Sequence, residues 1–150
     1  MNTRDKLLVN ATVSDIEQMH SSVWKGPSGM DIINGMSLHY KDGVMANIQS
    51  AACCYNDRKG VISCEQGWIE VKNINCPERV RVYNNEYQLI QEHFPPQGQI
   101  TGYEYQVYAC EEALNNGWLE SPYMPHEETL SIMRQMDTLR KEWGVVYPMD

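Results

Sequence analysis

The chain has 150 residues, of which 42% are hydrophobic and 21% charged, and it carries a formal charge of −8. That length and balance belong to a globular chain with one domain's worth of core, expected to span residues 1–150, and not to a disordered one. The acidity excludes nucleic-acid or anionic-membrane binding by phosphate neutralisation, and no apolar run approaches the roughly 20 residues that span a bilayer.

In chain order, the amino terminus from Asn2 to Lys6 lacks a signal-peptide core, so a soluble cytoplasmic protein is expected. Lys6–Val13 reads as a short strand, apolar with β-branched Val9, Thr12 and Val13. Met36, Leu38 and Tyr40 alternate, Asp42-Gly43 supplies a turn, and Val44, Ala46, Ile48 and Ser50 alternate again. A period of two on both sides of Asp-Gly predicts a hairpin. Val61–Cys64 and Trp68–Val71 flank Gln66-Gly67 as a second hairpin, and Val80, Val82, Tyr87, Leu89 and Ile90 suggest two further strands around Asn84-Asn85.

The period then changes. Tyr103, Val107, Cys110 and Leu114 fall on one helical face, and Gly117 is placed to close a helix near 103–116. Pro125 opens a second helix near 126–143, with Glu127 and Glu128 at its positive end. Its apolar stripe is Ile132, Met136, Leu139 and Trp143, and Gly144 stops it. Strands first and helices after predict an α+β fold, an open-faced, mainly antiparallel sheet of five to seven strands with helices packed on one face.

Five cysteines occur without a Cys-x-x-Cys pair. Neighbouring strand residues point to opposite faces, so Cys53 and Cys54 are not expected to share a ligand; reduced, mostly buried thiols are expected. His20, His39, His93 and His126 lack zinc-ligand spacing, so no metal site is predicted. Glu104, Glu111 and Glu112 read as a solvated helix face.

Several of these segments, taken in order, resemble the carboxyl-terminal domain of the Gfo/Idh/MocA oxidoreductases, especially the dihydrodiol-dehydrogenase-like branch. They are Pro27-Ser-Gly-Met-Asp31, the hairpin Leu38–Ser50, Cys64-Glu-Gln-Gly-Trp-Ile-Glu-Val71 and Asn75-Cys76-Pro77. After them come the Gly102-Tyr103-Glu104 helix, Glu120-Ser-Pro-Tyr-Met-Pro125 and Gly144-Val-Val-Tyr-Pro148. The resemblance implies a substrate-binding and oligomerisation domain for a sugar or diol-like substrate. It implies NAD or NADP in the intact enzyme, bound by a separate Rossmann domain, and a homodimer formed through the open sheet face.

The family's Gly-x-Gly-x-x-Gly loop and Glu-Lys-Pro lysine have no counterpart here: Gly26 and Gly29 lie outside any strand-turn-helix setting. No catalytic or cofactor-binding residue is therefore assigned, and the chain alone is not expected to be an active dehydrogenase. The resemblance places Asn75 and Phe94 on loops that line the substrate pocket, with His93 beside them. The branch tends to carry an aromatic residue where Asn75 stands, so a polar ligand such as a sugar is favoured over an aromatic diol. A free-standing, non-catalytic binding or interaction module of the same fold is the alternative.

Overall fold

The computed structural model describes residues 16–147; the expected strand Lys6–Val13 and Pro148 lie outside the described residues. Among these residues seven strands and two helices follow in the order β, β, β, β, β, β, β, α, α, and their strand pairings are antiparallel, consistent with an α+β fold. The strands form two hydrogen-bonded sheets, of three and four strands, where the pattern of alternation predicts one. The described residues divide into two compact units, 16–54 with 122–147, and 55–121.

In the first unit, β1 (Ile16–Lys25), β2 (Asp31–Tyr40) and β3 (Met45–Ala51) pair in sequence order. The Asp42-Gly43 turn forms as expected. Gly43 sits at φ 86, where a β-carbon is disfavoured, and the Asp42 side chain accepts from the Val44 amide at 3.1 Å. No period marked β1 in the sequence: its Gln18, Ser21 and Ser22 break the apolar alternation that signals a strand.

Register fixes the two faces of this sheet. Met19, Ser21 and Val23 share one face with their partners Leu38, Met36 and Asn34. The helix α2 (His126–Trp143) packs there: the Trp143 indole donates to Ser21 Oγ at 2.8 Å. Lys25 Nζ donates to the carbonyls of Trp143 and Gly144 at 2.9 and 3.4 Å, a cation at the helix's negative end. Gly144, at φ 62, ends the helix in the left-handed conformation, as its sequence position suggests. Leu38, Leu139 and Val145 are the buried apolar residues among the described residues of this unit.

The stripe expected on α2 needs one correction. Ile132 and Trp143 are half-buried and Leu139 is buried, but Met136 is exposed and Gln135, one position earlier, is the half-buried residue instead.

The second unit contains β4 (Gly60–Cys64), β5 (Gly67–Lys72), β6 (Arg79–Asn84) and β7 (Leu89–His93), again in sequence order. The β4–β5 hairpin matches the predicted one, with Cys64 opposite Gly67. Tyr87, expected in a strand, lies in the β6–β7 turn at φ 63, and Asn84 Oδ1 accepts from the amides of Glu86 and Gln88 there. One row of the sheet carries Trp68 stacked on Tyr83, with centroids 4.8 Å apart and Tyr87 edge-on to Trp68. Charged pairs flank this row: Lys59 with Glu70 at 2.8 Å, and Arg81 with Glu92 at 2.7 Å. Their exposure makes each worth little to stability.

The helix α1 (Tyr103–Asn115) closes on Gly117 as expected, with the Trp118 amide bonded back to the Ala113 carbonyl. Its predicted apolar stripe, however, is not covered. Tyr103 is 70% exposed, Val107 56% and Leu114 79%, and Cys110 is exposed as well; Ala113 is the buried residue of this helix.

Candidate functional site

Asn75 lies in the loop between β5 and β6. The loop is pinned at its base: Lys72 pairs with Glu78 at 2.6 Å, and Asn73 Nδ2 donates to Glu78 Oε1 at 3.1 Å. These two contacts, Lys72 first, hold the Glu78 carboxyl below its ordinary value. Asn73 adopts φ 58, a conformation Asn tolerates better than most residues, and its carbonyl accepts from the Cys76 amide. The turn-forming asparagine is thus Asn73, and Asn75 is left exposed at the tip.

Phe94 begins the segment between β7 and α1 and is 66% exposed. His93, the last residue of β7, is exposed, with Nε2 3.5 Å from Gln91 Oε1. A residue that the sequence reading missed joins the two loops. Gln99 Nε2 donates to Cys76 Sγ at 3.1 Å and to the Pro77 carbonyl at 3.2 Å, while Tyr105 Oη donates to Gln99 Oε1 at 3.2 Å. Gln99 therefore fastens the Phe94 segment and the first turn of α1 to the Asn75 loop. Nothing in a Pro-Pro-Gln-Gly-Gln stretch marks one glutamine for that task.

Glu104 is a structural clasp and not a freely solvated acid. Its carboxylate accepts from the Ile100 amide at 2.7 Å, the Thr101 amide at 3.3 Å and the Thr101 hydroxyl at 3.0 Å. Thr101 Oγ1 accepts in turn from the Tyr103 amide. The Ile100 amide above all, then Glu104's own, holds the carboxyl down at about 2. A group so depressed is ionised throughout the neutral range and is no proton donor.

The sign of its pH effect follows. The folded value lies below the ordinary 4.5, so the clasp contributes stability above pH 4.5 and loses it as pH falls towards 2. Glu104→Gln should melt earlier than the wild type at pH 7, and the two melting temperatures should converge near pH 2. Equal melting temperatures at pH 7 would refute the clasp.

Both described helices carry acid in their first turn, Glu104 on α1 and Glu127 and Glu128 on α2. The amides just ahead of α1 are already taken by Glu104. Phosphate at either end would meet a carboxylate in the first turn, which opposes anion binding there.

Among the described residues no group of three or more His, Cys, Asp or Glu is arranged for a metal. The thiols are not mostly buried as expected: Cys53, Cys54, Cys64 and Cys110 are exposed and Cys76 half-buried. Cys53 and Cys54 do not point apart either. The strand ends at Ala51, alternation is lost in the bend that follows, and the two Sγ atoms lie 3.9 Å from each other.

The face of the three-stranded sheet opposite α2 holds an open hollow of about 690 Å³. Register places Ser22, Gly35 and Gln49 in one row across it and His20, Ser37 and Asn47 in the next. Trp24 and Met45 stand on the same face, 59% and 58% exposed. His20 and His39 meet there edge to face, with ring centroids 6.0 Å apart.

No helix among the described residues is long and apolar enough to cross a membrane. Neither a family model nor a curated protein sequence matches the chain. The fold, an antiparallel α+β arrangement, does match solved structures. One is aldose-aldose oxidoreductase from Caulobacter crescentus, solved in complex with glycerol, with a TM-score of 0.65 and 16% identity. The match covers 82% of this chain and 37% of that one, so the chain spans little more than a third of the neighbour's length. At that identity the likeness is one of fold.

Proposed function

We propose that this chain is the substrate-binding and oligomerisation part of an NAD(P)-dependent oxidoreductase of the Gfo/Idh/MocA type. Its substrate would be a sugar or diol-like molecule, and a domain outside these 150 residues would hold the cofactor. The observation that carries this reading is the fold likeness over 82% of the chain to part of an aldose-aldose oxidoreductase. The ordered segments from Pro27-Ser-Gly-Met-Asp31 to Gly144-Val-Val-Tyr-Pro148 support it independently.

On this reading the Asn75 loop and the Phe94 segment line the substrate. An amide pairs with hydroxyl groups as both donor and acceptor, an aromatic ring covers the C–H face of a sugar, and His93 adds a hydrogen-bonding ring. Asn75→Ala and Phe94→Ala are each expected to weaken aldose binding about tenfold, which corresponds to one or two lost contacts. Saturation-transfer NMR with a panel of aldoses and alditols reads this. Wild-type binding in both variants would remove these loops from the site.

The cofactor domain would pack on the exposed side of α1, where Tyr103, Val107 and Leu114 present an uncovered apolar stripe. The homodimer would use the sheet face opposite α2, with Trp24 and Met45 as anchors around the polar hollow. Met45→Lys would then place a charge in each half of a two-fold interface and cost about 2 kcal/mol or more per anchor. Light scattering after gel filtration at tens of micromolar should find a wild-type dimer and a folded Met45→Lys monomer. A wild-type monomer there would contradict the dimer.

A further inference from the structure

We infer that Cys53 and Cys54 form a two-thiolate chelating site for a soft, thiophilic divalent metal ion of the zinc and cadmium class. Three observations lead there. The two Sγ atoms lie 3.9 Å apart, both side chains are exposed, and both sit in the bend after β3, where no ladder fixes their orientation. A cation could reach them from solvent without any part of the fold opening, and the chain's formal charge of −8 favours its approach.

Two chemistries compete for adjacent thiols, and geometry decides between them. A disulfide needs sulfurs about 2.05 Å apart and prefers Cα atoms about 4.4–6.8 Å apart. Adjacent residues hold their Cα atoms about 3.8 Å apart across a trans peptide, so a ring closed here is strained and easily reduced. Chelation asks for something else. With metal–sulfur bonds of about 2.3 Å and a tetrahedral angle, two thiolates stand about 3.8 Å apart. The observed 3.9 Å is that edge, so the ion binds without bringing the sulfurs together.

The step balances as two S–H bonds broken, two metal–sulfur bonds formed and two protons released to solvent, with no change in oxidation state. No third protein ligand stands nearby among the described residues, so solvent or a small exogenous ligand completes the coordination. That open coordination separates this site from a closed structural zinc site.

Cadmium is the probe. Titrating Cd²⁺ into the reduced protein in a weak, non-chelating buffer should raise an ultraviolet thiolate-to-metal charge-transfer band. The band should saturate at one ion per chain, with two protons released per ion. Cys53→Ser and Cys54→Ser should each weaken binding at least about tenfold, since a single thiolate forfeits the chelate. Cys64→Ser and Cys110→Ser, which change the other exposed thiols, should bind as the wild type does. Circular dichroism should be the same for all five proteins. The assignment is overturned if the wild type gives no saturable band, if either Cys53→Ser or Cys54→Ser keeps wild-type affinity, or if loss of Cys64 or Cys110 abolishes it. None of these outcomes depends on the proposed oxidoreductase role.

Discussion

Gly67→Ala is expected to destabilise the four-stranded sheet by on the order of 3 kcal/mol or more, a shift of several degrees in melting temperature for a chain this long. Gly67 starts β5 at φ 146, a backbone conformation that side chains rarely adopt. A β-carbon placed there would lie 1.8 Å from the Tyr83 carbonyl oxygen and 2.9 Å from the Asn84 Cα. Both obstacles are backbone atoms of the neighbouring strand, so no side-chain rotation relieves the clash. The ladder must part where Gly67 pairs with Asn84, beside the Trp68–Tyr83 stack. Near-ultraviolet circular dichroism, which reports that stack, should lose intensity together with the melting temperature. A variant with wild-type melting would mean the hairpin accommodates a side chain and the close approach is unimportant.

Leu139→Ala should cost about 2–5 kcal/mol, the usual range for a buried leucine emptied into a cavity. Leu139 is 6% exposed and shares the interior of its unit with Leu38 at 4% and Val145 at 3%. With so few buried side chains among the described residues, removing one is a large fraction of what holds α2 against its sheet. Met136→Ala, on the same helix but 50% exposed, is the control and should cost under about 1 kcal/mol. Urea unfolding of both variants gives the comparison. Equal midpoints would show that α2 buries a different face from the one the structure gives it.

Leu139 and Met136 also mark how far the sequence could be read. A period of 3.6 located α2 at its observed bounds, 126–143, and placed α1 within one residue of its end. Periodicity ranks positions three and four apart as equals, though, and only packing separates Met136 from its half-buried neighbour Gln135. Hairpins were legible where a turn residue stands between alternating runs, as at Asp42-Gly43 and, one residue off, at Gln66-Gly67, where Gly67 itself opens β5. The strand β1 was not, because its hydroxyl and amide side chains hide the alternation. The exposure of the α1 stripe was equally out of reach: an apolar helical face signals that something covers it, without saying what.

The proposal that Asn75, His93 and Phe94 line a substrate rests on family resemblance, and one glutamine joins their two loops. Gln99 joins residues 22 and 23 positions away through its side-chain amide, a tertiary contact with no local signature. Glu104 was misread for a related reason. An acid on a helix's first turn looks solvated in sequence, and only the path of the preceding chain turns the Ile100 and Thr101 amides towards it. The cysteine pair followed strand logic that fails once β3 has ended.

The central claim is that this chain serves the substrate side of a sugar oxidoreductase and not the cofactor side. Parallel calorimetric titrations of the one protein, with an aldose or alditol series and with NADH and NADPH, test it most directly. The account predicts saturable heat with at least one of the polyols and none with either nucleotide. Micromolar binding of NADH or NADPH, with no response to any sugar, would contradict it.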